Sequence, residues 1–131
     1  MSEQALVRAS RPGAIYVVDT VLAAASSVLL IFASGSLTQL LGWSFAPSVL
    51  VWIGVMLLPW AAFNLWSSRH IELPRWANML HIIGDAGWVL ASAGIIALQF
   101  DWLSGTGLVL ISAQMLLVVA VFVLKRQARQ M

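Results

Sequence analysis

The chain alternates between long apolar runs and short polar breaks. Between Arg11 and Arg69 the only charged side chain is Asp19, and between Arg75 and Lys125 the only ones are Asp85 and Asp101. A helix needs about 20 mainly apolar residues to cross the hydrocarbon core of a bilayer, so each run has room for two spans. Gly35, Gly42 and Pro47 break the first run, and Phe100–Gly105 breaks the second. The pattern predicts four helices over roughly 13–34, 47–67, 75–99 and 102–124. Pro12, Pro47 and Pro74 stand where a first helical turn tolerates a missing N–H. Asp101 is placed to cap the fourth helix, with Ser104 at its third position. Leu37, Leu40, Leu41 and Trp43 make too short a run for a span and are expected along the membrane interface. Pro59 interrupts the second helix and frees the carbonyl near Val55.

Composition turns this pattern into a class. Of 131 residues, 61% are apolar and only 9% are charged, against about 25% charged in soluble domains. Water-soluble folds and disordered chains are both excluded. With no cysteine, disulfide scaffolds, thiolate metal sites and Cys nucleophiles are excluded too. Seven basic and five acidic side chains are too few to follow a nucleic-acid backbone, so nucleic acid is no expected partner. The expected fold is all-α: one transmembrane domain over 1–131, an integral membrane four-helix bundle running up-down-up-down because its connections are short.

Charge sets the expected orientation. Arg8 and Arg11 precede the first span, Arg69 and Arg75 flank the middle connection, and Lys125, Arg126 and Arg129 follow the fourth. The other two connections carry no Lys or Arg, so both termini and the middle loop are expected in the cytoplasm. Trp66 and Trp76 fall at the inner boundary, and Trp43 and Trp102 at the outer one, as an aromatic belt requires. The first apolar run is longer than a signal-peptide core, so no cleaved leader is expected. Arg69, Arg75, Lys125, Arg126 and Arg129 read as partners of anionic lipid headgroups.

Candidate chemistry lies in the polar groups inside the spans: Asp19, Asn64, Asn78, His81, Asp85, Ser92 and Gln114. An Asp at the centre of a spanning helix costs about 2.5–3.5 kcal/mol to insert. From the helical rise, Asp19, Asn64 and His81 fall at one level on the cytoplasmic side, while Asp85 and Gln114 fall near the midplane. In the third span Asn78, His81, Asp85, Trp88 and Ser92 form a polar stripe. Gly84, Gly87, Ala91 and Gly94 run beside it as a small-residue stripe suited to close helix packing. The third span is therefore expected to be the most buried.

Two roles fit the stripe. It is a proton or ion path through Asp19, His81 and Asp85, or a set of interhelical hydrogen bonds worth about 0.6 kcal/mol each. No cofactor is required by the sequence. His81 supplies one axial ligand to a haem, which leaves a second to come from elsewhere. Trp52, Trp60 and Trp88 offer rings to a quinone or pigment, although packing is the commoner use of such residues. No three-ligand metal cluster, G-x-S-x-G nucleophile or phosphate loop is present, and no enzyme is expected. The segment Ser104-Gly105-Thr106-Gly107 lacks the lysine a phosphate loop needs.

The run Asp85-Ala86-Gly87-Trp88-Val89-Leu90-Ala91-Ser92 resembles a loose family of small four-span bacterial membrane proteins with D/N-x-x-W-V-x-A-S in the third helix. Leu57–Phe63, and Thr106-Gly107 with Gln114, are similar in the same way. No activity is attached to that family. The resemblance implies fold and inner-membrane location, carries over no site, and marks Asp85, Trp88 and Ser92 for test. The expected role is a non-catalytic accessory or scaffolding subunit of a larger membrane complex, partnered by lipid, other membrane subunits or itself. The alternative is a small homo-oligomeric proton-coupled transporter or channel working through Asp85, His81 and Asp19.

Overall fold

The computed structural model describes residues 3–130, and side chains for residues 13–128. The described residues form five helices: α1 (Glu3–Phe32), α2 (Ser34–Leu41), α3 (Pro47–Ser68), α4 (Arg75–Gln99) and α5 (Gly105–Gln130). Four contain stretches long and apolar enough to cross a membrane: Gly13–Phe32, Pro47–Ser68, Arg75–Gln99 and Gly105–Ala128. No strand occurs among the described residues.

Two predicted starts differ. The first helix begins at Glu3, so Pro12 falls inside its run rather than opening it. The last helix begins at Gly105, and its cap is Ser104, not Asp101. The Ser104 hydroxyl accepts the Gly107 N–H at 2.9 Å, which satisfies a donor that the first turn would otherwise leave orphaned. Pro47 and Pro74 act as expected, one as the first residue of α3 and one immediately before α4. Pro59 lies inside α3, which continues across it.

Helices α1 and α3 run antiparallel and lie closest to each other. Ser27 Oγ donates to the Gly54 carbonyl at 2.6 Å and Thr20 Oγ1 to the Ala61 carbonyl at 3.3 Å. A Cβ on Gly13 would meet the Ser68 carbonyl oxygen at 2.7 Å, and one on Gly54 would meet α1 at 3.0 Å. Close backbone approach through small residues therefore belongs to this seam. The predicted stripe on α4 does not supply it. Gly84 faces the Trp60 ring, but Gly87, Ala91 and Gly94 are exposed, and nothing stands within 4 Å of a Cβ on either glycine. The most buried span is accordingly α3 rather than α4.

The inward face of α4 is Ala77, His81, Asp85, Ser92 and Gln99, mostly polar, whereas Ile83, Leu90 and Leu98 point outward. Such a distribution suits a hydrocarbon solvent, where polar groups turn to the bundle interior. At the far end of the bundle, Leu41, Trp43 and Leu50 form a small core with Leu30, Leu37, Ile53 and Ile95 packed on it. Leu41 and Trp43 are thus buried against the bundle, while Leu40 points outward. Gly42, at φ 70°, turns the chain in the left-handed conformation that ends α2.

Candidate functional site

Helices α1, α3, α4 and α5 converge on one ammonium group. Lys125 Nζ donates to Asp19 Oδ2 at 2.6 Å and to Asp85 Oδ2 at 3.0 Å, and lies 3.1 Å from His81 Nδ1. The Lys125 side chain is only 3% exposed, so the expectation that it meets lipid headgroups is corrected. Two carboxylates inside an apolar bundle need a counter-charge, and Lys125 is the only lysine in the chain. That need was the available signal for its place. What hid it was its position, at the end of the fourth apolar run and next to Arg126.

The hydrogen bonds have a defined direction. An ammonium only donates, so its contact makes Nδ1 of His81 an acceptor and puts the ring proton on Nε2. Nε2 then donates to Ser67 Oγ at 2.8 Å, and the Ser67 hydroxyl donates to the Phe63 carbonyl at 2.8 Å. All three protons of Lys125 and both nitrogens of His81 are engaged. No ring nitrogen of His81 is left to bind a haem iron.

Aromatic rings wall the cluster. Lys125 Nζ stands 5.3 Å from the Tyr16 ring centroid and 5.2 Å from that of Trp60, within cation–π range. His81 meets Phe63 in a stack at 4.4 Å and Tyr16 edge-on at 4.6 Å. Tyr16 and Ser67 are fully buried. The sequence pattern alone does not mark Tyr16, Phe63 or Ser67 as site residues. A tyrosine one turn before Asp19, and a serine one turn after Phe63, were the signals available.

Of the other predicted residues, Asn64 is fully buried but donates to the Trp60 carbonyl of its own helix at 3.0 Å, and its Oδ1 has no partner. Asn78 is half-buried at the start of α4. Gln114 does not meet Asp85. It accepts from Trp88 Nε1 at 2.7 Å and donates to Ser92 Oγ at 2.9 Å, forming a second network further along the α4–α5 seam. A third joins Gln99 Oε1 to the backbone N–H and hydroxyl of Ser44, at 3.0 and 2.7 Å. Trp52 is exposed, Trp60 packs on His81, and Trp88 is tied to Gln114, so the three offer no common face to a flat ligand. Trp66 and Trp76 stack at 5.6 Å. Arg69 and Arg75 are exposed and Arg126 is half-buried; the Arg129 side chain lies outside the described residues. Among the described residues no three His, Cys, Asp or Glu side chains gather as metal ligands.

Set against protein-family models, curated proteins and solved structures, the chain matches none.

Proposed function

We propose that this multi-pass membrane protein is a small proton-coupled transporter of the bacterial inner membrane. Its helices cross up-down-up-down with both termini in the cytoplasm, and it works as a homo-oligomer because four helices enclose little volume. The observation that carries this is Lys125 held between Asp19 and Asp85 and against His81. With both carboxylates ionised, the ammonium charged and His81 neutral, these four side chains carry one more negative charge than positive. A buried cluster with that imbalance favours uptake of one further cation, of which a proton is the smallest. The groups facing it are Tyr16 and Asp19 from α1, Trp60 and Ser67 from α3, and His81 and Asp85 from α4.

Everted membrane vesicles holding a respiratory pH gradient provide the test. Monovalent inorganic and organic cations, added in turn, should collapse the gradient in vesicles carrying the wild-type chain. Asp85→Asn vesicles with the same amount of protein should keep it. If no cation discharges the wild-type vesicles faster than Asp85→Asn vesicles, the transport reading fails.

A second reading rests on a different feature of the same site. The three N–H groups of Lys125 are all engaged, as a clasp that only fastens helices would also arrange. A non-catalytic accessory subunit would use the cluster in that way. Native mass spectrometry of gently extracted membranes would then show the chain in fixed stoichiometry with a larger complex, and Asp85→Asn would loosen the bundle without altering any cation flux.

A further inference from the structure

The walls around Lys125 Nζ have a composition of their own. Two carboxylate oxygens lie at 2.6 and 3.0 Å, an imidazole acceptor at 3.1 Å, and two aromatic rings at 5.3 and 5.2 Å. Carboxylates with aromatic faces are the chemistry that recognises alkylammonium ions. Bare metal cations such as calcium or magnesium are instead held by six or more oxygens. The cation in this cage belongs to the chain itself and rides on a flexible four-carbon stem.

That stem has somewhere else to go. Lys125 closes the uncharged run 105–124 of α5 and is followed at once by Arg126 and then by Arg129, so the charged end of the helix starts with it. A lysine so near a helix end reaches the headgroup level by a change of rotamer alone. Arg126 beside it already lies at that end of α5.

We infer that the cage formed by Asp19, Asp85, Tyr16, Trp60 and His81 is a binding site for a small alkylammonium ion, and that Lys125 is its tethered stand-in. The incoming ammonium takes over the contacts to both carboxylates while Lys125 swings out to the headgroups. One cation replaces another, so the cage keeps its excess negative charge, and a proton taken up by either carboxylate competes with the ammonium for the same oxygens, which couples the two. The inference deepens the transport reading, on which it rests, by naming the substrate class.

Because Lys125 is the only lysine, its reactivity is a direct readout. The full chain in detergent is treated with an acylating reagent, and modification of Lys125 is followed by mass spectrometry. Trimethylammonium serves as the probe because it carries charge without being acylated. The acylation rate of wild-type Lys125 is expected to rise at least fivefold with saturating trimethylammonium, and to stay flat with sodium at equal ionic strength. A companion test uses Lys125→Ala, which removes three methylenes and the ammonium. Its thermal stability should be restored by n-propylammonium but not by n-propanol, and Asp85→Asn in the Lys125→Ala background should abolish the rescue. An acylation rate indifferent to trimethylammonium, or rescue by propanol equal to that by propylammonium, overturns the inference. Were sodium, but not the permanently charged tetramethylammonium, to discharge wild-type vesicles faster than Asp85→Asn vesicles, the substrate class would fall while proton coupling stood. If no cation discharged them, both would fall.

Discussion

Removing the ammonium of Lys125 leaves Asp19 and Asp85 without the cation that both touch, with Asp85 buried and Asp19 half-buried. Breaking a buried ion pair from one side costs about 3–5 kcal/mol, because the partner charge stays buried. Lys125→Met should therefore lower the unfolding free energy in mixed micelles by about that amount. Adding Asp19→Asn and Asp85→Asn should return most of the loss, since no charge is then uncompensated and the effects at touching sites are not additive. Equal stability of Lys125→Met and wild type would mean that the ammonium contributes nothing inside the bundle. At this scale the sequence displays the expensive residues but not their partners. Asp19, His81 and Asp85 stand out because each costs energy in an apolar run. That all three meet Lys125, while Gln114 turns to Trp88 and Ser92, depends on helix rotations that periodicity leaves free. Lys125 itself reads equally well as a snorkelling residue, since its stem suits either position.

Where α2 meets the start of α5, an element boundary is decided by a contact across the bundle. The last turn of α2 leaves carbonyls without helical partners, and Ser104 serves two of them. Its hydroxyl donates to the Leu40 carbonyl at 2.6 Å and its N–H to that of Leu41 at 3.0 Å. The same hydroxyl caps α5 by accepting from Gly107. Gly107 lies so close that a Cβ would collide with the Leu41 carbonyl. Ser104→Ala should cost about 0.5–2 kcal/mol for the lost cap, and Gly107→Ala should be clearly more harmful than Gly94→Ala, which meets open space. Unfolding of the three variants in detergent checks the order, and a Gly94→Ala variant as damaged as Gly107→Ala would contradict this packing. The boundary was legible to within a few residues because Phe100–Gly105 is rich in turn formers. The capping residue was not, because Asp101 and Ser104 are both good caps and the choice is made by carbonyls more than sixty residues earlier in the chain. The small-residue stripe of α4 failed similarly: spacing shows that Gly87, Ala91 and Gly94 share a flank, but not which flank meets a neighbour.

For the whole molecule, apolar run length alone made the four spans legible, since hydrocarbon thickness sets a length that few other structures need. Orientation rests on a second, independent asymmetry. Arg69 and Arg75 lie at the connection between α3 and α4, the same end of α4 from which His81 and Asp85 reach Lys125. The connections near Ser44 and Asp101 carry no basic residue. If the basic end is cytoplasmic, the Lys125 cage lies nearer the cytoplasmic than the outer end of α4, with His81 six and Asp85 ten residues from Arg75. The absence of cysteine permits a clean test. Single cysteines at Glu72, Ser44 and Asp101 all replace exposed residues. A membrane-impermeant maleimide applied to intact cells should label Ser44→Cys and Asp101→Cys, and should reach Glu72→Cys only after the membrane is opened. The reverse pattern would put the cage on the outer side, and the headgroups within reach of Lys125 would be the periplasmic ones.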